Sequence, residues 1–172
     1  MKKARRKDGA TKVASIHTRA RPRSLAQYLA VMSRAIFQAG LSWALIDRQW
    51  DALCVAFDGF DPVKVARYGA RDFKRLSDTP GIVHSRRKVD AIVANARSML
   101  ALEQERGGFA RYLRSFSDYA SASADIRARF AHVGEISAYY FLFRVGEPVP
   151  PFAGWSTTVK GEHPRIREMV GG

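Results

Sequence analysis

The sequence has almost no cysteine. Its one thiol, Cys54, permits no internal disulfide and no structural zinc site built from cysteines. It also lacks a run of the ~20 apolar residues that span a membrane, since the apolar stretch at residues 138–143 is far too short. The basic N-terminus is not followed by the apolar segment of a secretory signal. Together these absences favour a protein of the reducing cytoplasm.

Acidic residues are also in short supply. Only 16 Asp and Glu accompany 29 Lys and Arg, so the net charge is +13 at pH 7. A positive field of this size favours polyanions, either nucleic acid or an anionic membrane surface. Residues 1–23 carry nine of the cations and one acid, Asp8, which accounts for +8 of the +13. This segment is either a solvated basic arm without a specific role or an arm that follows DNA.

Hydrophobic residues are plentiful, and their spacing is that of helices. They make up 47% of the 172 residues, enough for the core of one domain. Apolar residues recur at intervals of three and four, and Ser24, Ser42 and the pair Asp61 and Pro62 are helix-start signals. Helices are predicted at about residues 25–39, 42–57, 62–68, 70–77, 86–105, 109–116, 126–130 and 135–145.

No strand is indicated, so the expected fold is all-α. Residues 117–123 are predicted to form a loop and residues 154–162 an irregular arm. The expected organisation is a basic flexible tail at residues 1–23, a helical domain at 24–153 and a C-terminal arm at 154–172.

Residues 73–89 predict a helical hairpin, in which a short helix enters a turn at Pro80 and Gly81 and a longer helix leaves it. Gly81 has no Cβ, so its backbone can come close to another surface. Amides of such a turn, at a helix N-terminus, form a positive cradle for a phosphate. The alternative is an ordinary helical corner with solvated arginines. Three consecutive cations after the turn, Arg86, Arg87 and Lys88, favour DNA.

Four segments carry a more specific signal. They read Gln-Ala-Gly-Leu-Ser-Trp at residues 38–43, Ala-Phe-Asp-Gly-Phe-Asp-Pro-Val-Lys-Val-Ala at 56–66, Gly-Ile-Val-His-Ser-Arg-Arg-Lys at 81–88 and Asn-Ala-Arg at 95–97. In order and spacing they resemble the 3-methyladenine DNA glycosylase I family, part of the helix–hairpin–helix DNA glycosylase superfamily. The resemblance extends over roughly residues 25–145.

The resemblance implies a DNA-repair enzyme that hydrolyses the N-glycosidic bond of alkylated adenine. It implies a base pocket at Ala35, Gln38, Trp43 and Gly134, with Trp43 as an aromatic face and Gln38 as a hydrogen-bonding group. A plain core tryptophan is the alternative for Trp43. The family has a glutamate where this chain has Ala35, so the catalytic residue is unassigned. Glu135 is a candidate, and an exposed glutamate at a helix start is the alternative there.

The same resemblance places the DNA contacts in the hairpin, at Pro80, Gly81, Ile82, His84, Arg86, Arg87 and Lys88. For His84 a solvated loop histidine is equally compatible. The family's zinc site lacks its residues here, because residues 1–24 carry no Tyr…His-Asp segment and the C-terminus has no His-x-x-x-Cys pattern. We therefore expect no metal and no cofactor. The expected protein is a monomer that binds double-stranded DNA containing alkylated bases, and no membrane.

Three functions stay open on the sequence alone. The first is an active monofunctional glycosylase for alkylated adenine. The second is a non-catalytic DNA-binding protein that has kept the hairpin and lost efficient base excision. The third is a basic interaction domain whose arm binds RNA or acidic partners. Ala35 favours the second, and the intact block at residues 38–43 favours the first.

Overall fold

The structure is a computed structural model that describes residues 19–82 and 84–160. Residues 1–18, Val83 and residues 161–172 lie outside that range, and with them most of the predicted tail and the end of the predicted C-terminal arm. The described residues form helices and turns without a strand, which confirms the all-α fold. None of their helices is long and apolar enough to cross a membrane.

The helices follow one another through short connections. In chain order they are α1 (Leu25–Gln38), α2 (Trp43–Ala56), a 3-10 turn (Asp58–Phe60), α3 (Pro62–Val65), α4 (Ala70–Asp78), α5 (Arg86–Arg106), α6 (Phe109–Leu113), α7 (Tyr119–Arg129), α8 (Glu135–Arg144) and α9 (Phe152–Trp155).

The helix ends follow from local chemistry. The Ser24 hydroxyl accepts a hydrogen bond from the Gln27 amide, and the Asp61 carboxylate accepts one from the Val63 amide at 2.9 Å. Both bonds satisfy amides that have no partner inside the helix. Gly107 ends α5 with a φ of +66°, a conformation that side chains disfavour. The predicted starts of α1, α3 and α5 are confirmed.

The core is built around α1, α5 and α8. Helix α1 contacts both α5 and α8, and α5 also contacts α3 and α6. Fully buried side chains from all three helices meet in one cluster, among them Leu29, Ile36, Ile92, Met99 and Phe141. The end of α1 therefore stays close to both α5 and α8.

Two predicted irregular segments are wrong in part. Residues 117–123 were expected as a loop, but α7 begins at Tyr119 because the Asp118 carboxylate accepts from the Ser121 amide at 2.7 Å. The alanine and serine run after it lacks a clear apolar period, which hid the helix. Residues 154–162 were expected as an irregular arm, but α9 covers their start, and the Trp155 ring stacks on Tyr139 at 3.9 Å.

The edges of the helical domain also hold more contacts than the sequence suggests. The Arg19 guanidinium donates to the Glu147 carbonyl oxygen at 2.8 Å, and the Ala20 amide donates to the Arg144 carbonyl oxygen at 3.1 Å. These bonds fix the chain before α1 to the end of α8. The predicted boundary at 23/24 thus leaves packed residues outside the domain, and the boundary at 153/154 falls within α9.

Candidate functional site

Helices α4 and α5 form the expected hairpin. The chain leaves α4 at Thr79, whose hydroxyl donates to the Arg75 carbonyl oxygen at 2.8 Å. It enters α5 after Ser85, whose hydroxyl accepts from the Lys88 amide. Pro80, Gly81 and His84, between these two points, are all exposed. The bend is open to solvent and accessible to a large ligand.

The bend is anchored by one apolar side chain. Ile82 is 5% exposed and lines a cavity of about 120 Å³ together with Phe57, Phe73, Leu76 and Val89. Gly81, just before it, has a φ of +77°, and a Cβ built there would have nothing within 4 Å. Ile82 therefore holds the turn against the core, while Gly81 presents bare backbone to the outside.

The three cations after the bend have different surroundings. The Arg86 guanidinium lies 3.7 Å from the centre of the Phe73 ring and pairs with Asp90 at 3.0 Å. Arg87 is exposed. Lys88 is half-buried, and its ammonium donates to the carbonyl oxygens of Phe37 at 3.0 Å and Ala39 at 2.7 Å. Arg86 and Arg87 are thus both accessible to a phosphate, and Arg86 is also engaged by Phe73 and Asp90.

Two elements bring the predicted pocket residues together. Ala35 and Gln38 lie one turn apart on α1, and a turn through Gly40 (φ +74°) places Trp43 at the start of α2. The Trp43 ring meets the ring of Tyr140, from α8, edge to face at 5.9 Å between centroids. Ala35 packs against the same tyrosine. Gln38 is 3% exposed, and within the described residues its Oε1 accepts no hydrogen bond.

Buried charge lies next to this aromatic pair. Arg34, 3% exposed, forms an ion pair with Asp47 and lies over the Trp50 ring at 4.7 Å. The Arg144 guanidinium lies 5.9 Å from the centre of the Tyr140 ring, and its Nε and one terminal nitrogen have no hydrogen-bond partner among the described residues. Burial lowers the pKa of Arg144 and raises the pKa of the Tyr140 hydroxyl.

The hairpin and Trp43 both lie in a region that matches one known protein family. The model of the methyladenine glycosylase family matches residues 22–139, which contain the hairpin and Trp43 and end one residue before Tyr140. The chain belongs to this family. That result confirms the resemblance stated from the sequence.

Two curated relatives of the chain are named as DNA-3-methyladenine glycosylases. The chain is 39% identical over 82 residues to DNA-3-methyladenine glycosylase 1 of Escherichia coli strain K12, an alignment that covers 48% of this chain and 44% of that protein. It is 28% identical over 130 residues to DNA-3-methyladenine glycosylase of Haemophilus influenzae, covering 63% of this chain and 70% of that protein. The first alignment thus spans less than half of the relative's length.

Solved structures of the family have the same fold. A variant of 3-methyladenine DNA glycosylase I in complex with 3-methyladenine superposes with a TM-score of 0.66 at 29% identity, covering 74% of this chain and 80% of that one. A 3-methyladenine DNA glycosylase I from Staphylococcus aureus gives a TM-score of 0.66 at 28% identity, covering 74% and 79%. The helical scaffold is therefore that of the family.

Glu135, the glutamate offered as a catalytic candidate, is the first residue of α8. Glu135 is one turn before Tyr139, and its charge acts on Tyr119, which meets Tyr139 edge to face at 5.8 Å. Tyr140 lies about 140° further round the helix from Glu135. Gly134, the residue before α8, is exposed. Trp43 packs against Tyr140 and also against the cluster of Tyr139, Trp155 and Val159. Glu135 therefore stays a predicted catalytic candidate.

Two residues near Trp43, Tyr140 and Arg144, carry no recognisable signal in the sequence. Tyr140 lies in an almost wholly apolar helix, where spacing does not show which face meets Trp43. Arg144, at the end of the same helix, has the sequence appearance of an ordinary C-terminal cation. Arg34 offered the only available signal, a charge among the inward-facing residues of α1.

Proposed function

We propose that this protein excises alkylated adenine from double-stranded DNA by hydrolysing the N-glycosidic bond, as a monomer in the cytoplasm. The observation that carries the proposal is a direct contact between the hairpin and the predicted base pocket. Lys88, beside the exposed bend, donates hydrogen bonds to the carbonyl oxygens of the two residues on either side of Gln38. A glycosylase needs both a grip on the DNA strand and a pocket for the extruded base. The named activities of the relatives support the same function.

The hairpin supplies the grip. The exposed amides of the bend and the N-terminus of α5 favour a phosphate, and Arg87 adds an accessible positive charge. Such contacts hold the strand without reading its sequence, as suits an enzyme that must search any DNA. Ile82 contributes by fixing the turn, and His84 stays a predicted phosphate contact on the exposed side.

The pocket supplies the chemistry. An alkylated adenine such as 3-methyladenine carries a positive charge while attached to the sugar. The bond between base and sugar breaks with its electron pair going to the base, which leaves neutral, while the sugar becomes an oxocarbenium ion that water captures with loss of a proton. No strong general acid is required. A cation against the Trp43 ring gains ~2 kcal/mol when both are desolvated.

A second function is favoured by one observation. The predicted pocket wall around Tyr140 has two buried guanidinium groups, Arg34 and Arg144, and one nearby carboxylate, Asp47. Ala35 adds no negative charge where the family has a glutamate. A wall with a positive surplus opposes a cationic base. A DNA-binding protein that no longer excises efficiently therefore remains the alternative.

One assay separates the two functions. Methylated duplex DNA is incubated with excess protein, and release of free methylated adenine is followed in single turnover. We expect release by the natural protein and a loss of at least about tenfold with Trp43→Ala, because the aromatic face is gone. Phe116→Ala, on a half-buried ring that packs against Tyr112 after α6, is the control and retains the rate. No release by the natural protein, with salt-dependent binding intact, rejects the enzyme and keeps the alternative.

A further inference from the structure

Three cations on the hairpin helices bind the ends of other helices. Arg75, on α4, donates to the Ala56 carbonyl oxygen at 2.7 Å, at the end of α2. Arg97, on α5, donates to the Ala66 carbonyl oxygen at 2.9 Å, just after α3. Lys88, on α5, donates to the carbonyl oxygens of Phe37 and Ala39 at the end of α1. Carbonyl groups at a helix C-terminus lack partners within the helix and carry partial negative charge, so a cation stabilises them.

Lys88 differs from the other two in what it joins. Its own position is the first turn of α5, directly after the exposed bend. The carbonyl oxygens it binds belong to Phe37 and Ala39, on either side of Gln38 and shortly before Trp43. The ammonium is half-buried, and burial lowers its pKa, as expected for a group withdrawn from solvent. One side chain therefore connects the DNA grip with the base pocket.

We infer that Lys88 is a positioning residue that sets the distance between the hairpin and the base pocket, and is not a phosphate contact. The inference rests on the proposed function. A strand held at residues 80–82 delivers its extruded base to Trp43 only if the two sites keep a fixed separation. A misplacement of about 1 Å can cost about a hundredfold in rate. Two short bonds on one half-buried ammonium restrict that movement.

The test compares binding with catalysis in Lys88→Met. We expect the single-turnover rate at saturating protein to fall by about tenfold or more, because base and pocket are no longer held in register. The affinity for duplex DNA and its salt dependence should stay unchanged, since no phosphate contact is lost. A phosphate contact would instead lower the slope of log K against log salt by about 1.

Arg97→Met is the matched control, because it removes a bond of the same kind at a helix end outside the pocket. Both variants should lose thermal stability, yet only Lys88→Met should lose rate. Lys88→Arg keeps a cation with several donors and should recover most of the rate. If Lys88→Met does not fold, Lys88→Gln, which removes the charge and shortens the side chain, takes its place. Equal rate losses in the Lys88 variant and Arg97→Met, an unchanged rate, or a lower salt slope would each overturn the inference.

A second readout does not depend on activity. Hydrogen exchange of the amides at residues 39–45 is measured with and without duplex DNA. Binding should slow this exchange in the natural protein and in Arg97→Met, but not in Lys88→Met. The same response in all three proteins, or no response in the natural one, overturns the inference. Failure of the natural protein to release base refutes the proposed function separately.

Discussion

Ala35 stands where the resemblance places the family's glutamate, and its neighbours give this difference a measurable consequence. It is 5% exposed and packs with Tyr140 and Trp43. The adjacent Arg34 and the more distant Arg144 bring two positive charges against the single carboxylate of Asp47. The pocket wall thus has a positive surplus that a carboxylate at position 35 would cancel.

Ala35→Glu should therefore speed the release of a cationic methylated adenine by about tenfold relative to Ala35→Gln, since the two side chains match in size and differ in charge. Both variants should lose about 1–3 kcal/mol of stability, because a larger side chain enters a packed site. Single-turnover release and thermal unfolding measure the two effects. Equal rates for Glu and Gln would show that the charge of the wall does not act on the base.

At the scale of elements, the bend between α4 and α5 depends on one backbone conformation. Gly81 has a φ of +77° and open space where a Cβ would stand. The same description holds for Gly59, with a φ of +66°, in the 3-10 turn after α2. A substitution would create similar backbone strain at either glycine, but only Gly81 lies in the hairpin.

Gly81→Ala and Gly59→Ala should each cost about 1 kcal/mol of stability, because both force a side chain into the left-handed region. Only Gly81→Ala should weaken duplex binding, since its methyl group stands between the bend's amides and the phosphate. Thermal unfolding and binding to duplex DNA at one fixed salt concentration distinguish the two effects. Equal losses of affinity in the two variants would show that the DNA does not bind at the bend.

Most of these elements could be predicted because their signals are local. The Ser24 and Asp61 side chains accept hydrogen bonds from amides within a few residues, and the sequence shows both caps directly. The start of α7 was missed because its cap, Asp118, precedes a run of small residues with no apolar period. Helix α9 was missed because its stability comes from Trp155 stacking on Tyr139, which is distant in sequence.

The site could be predicted only where a short motif carries it. Residues 38–43 and 81–88 contain Gln38, Trp43 and the bend, and the structure joins these two segments through Lys88. The sequence predicts a phosphate contact for that lysine as for its neighbours, because adjacent cations look alike in a linear pattern. Tyr140 and Arg144 reach the pocket only through the packing of α8 on α1, which no spacing within either helix reveals.

At the scale of the whole molecule, charge is unevenly divided between the basic tail and the helical domain. Residues 2–18 contain six Lys and Arg and one Asp. Arg19 and Ala20, which bond to the end of α8, follow directly. A deletion that stops at residue 18 therefore removes charge without breaking those bonds. The effect of this deletion on DNA binding distinguishes a solvated arm from an arm that follows DNA.

If the tail follows DNA, deleting residues 2–18 should lower the slope of log K against log salt by up to about 5, because each released phosphate contact contributes ~0.9. The single-turnover rate at saturating protein should change less than about twofold, since hairpin and pocket are intact. Replacing the six cations with glutamine in the full-length chain is the control, and it should match the deletion if charge alone acts. Binding across a salt series measures the slope. An unchanged slope in both variants would identify the tail as a solvated arm and leave duplex affinity to the helical domain.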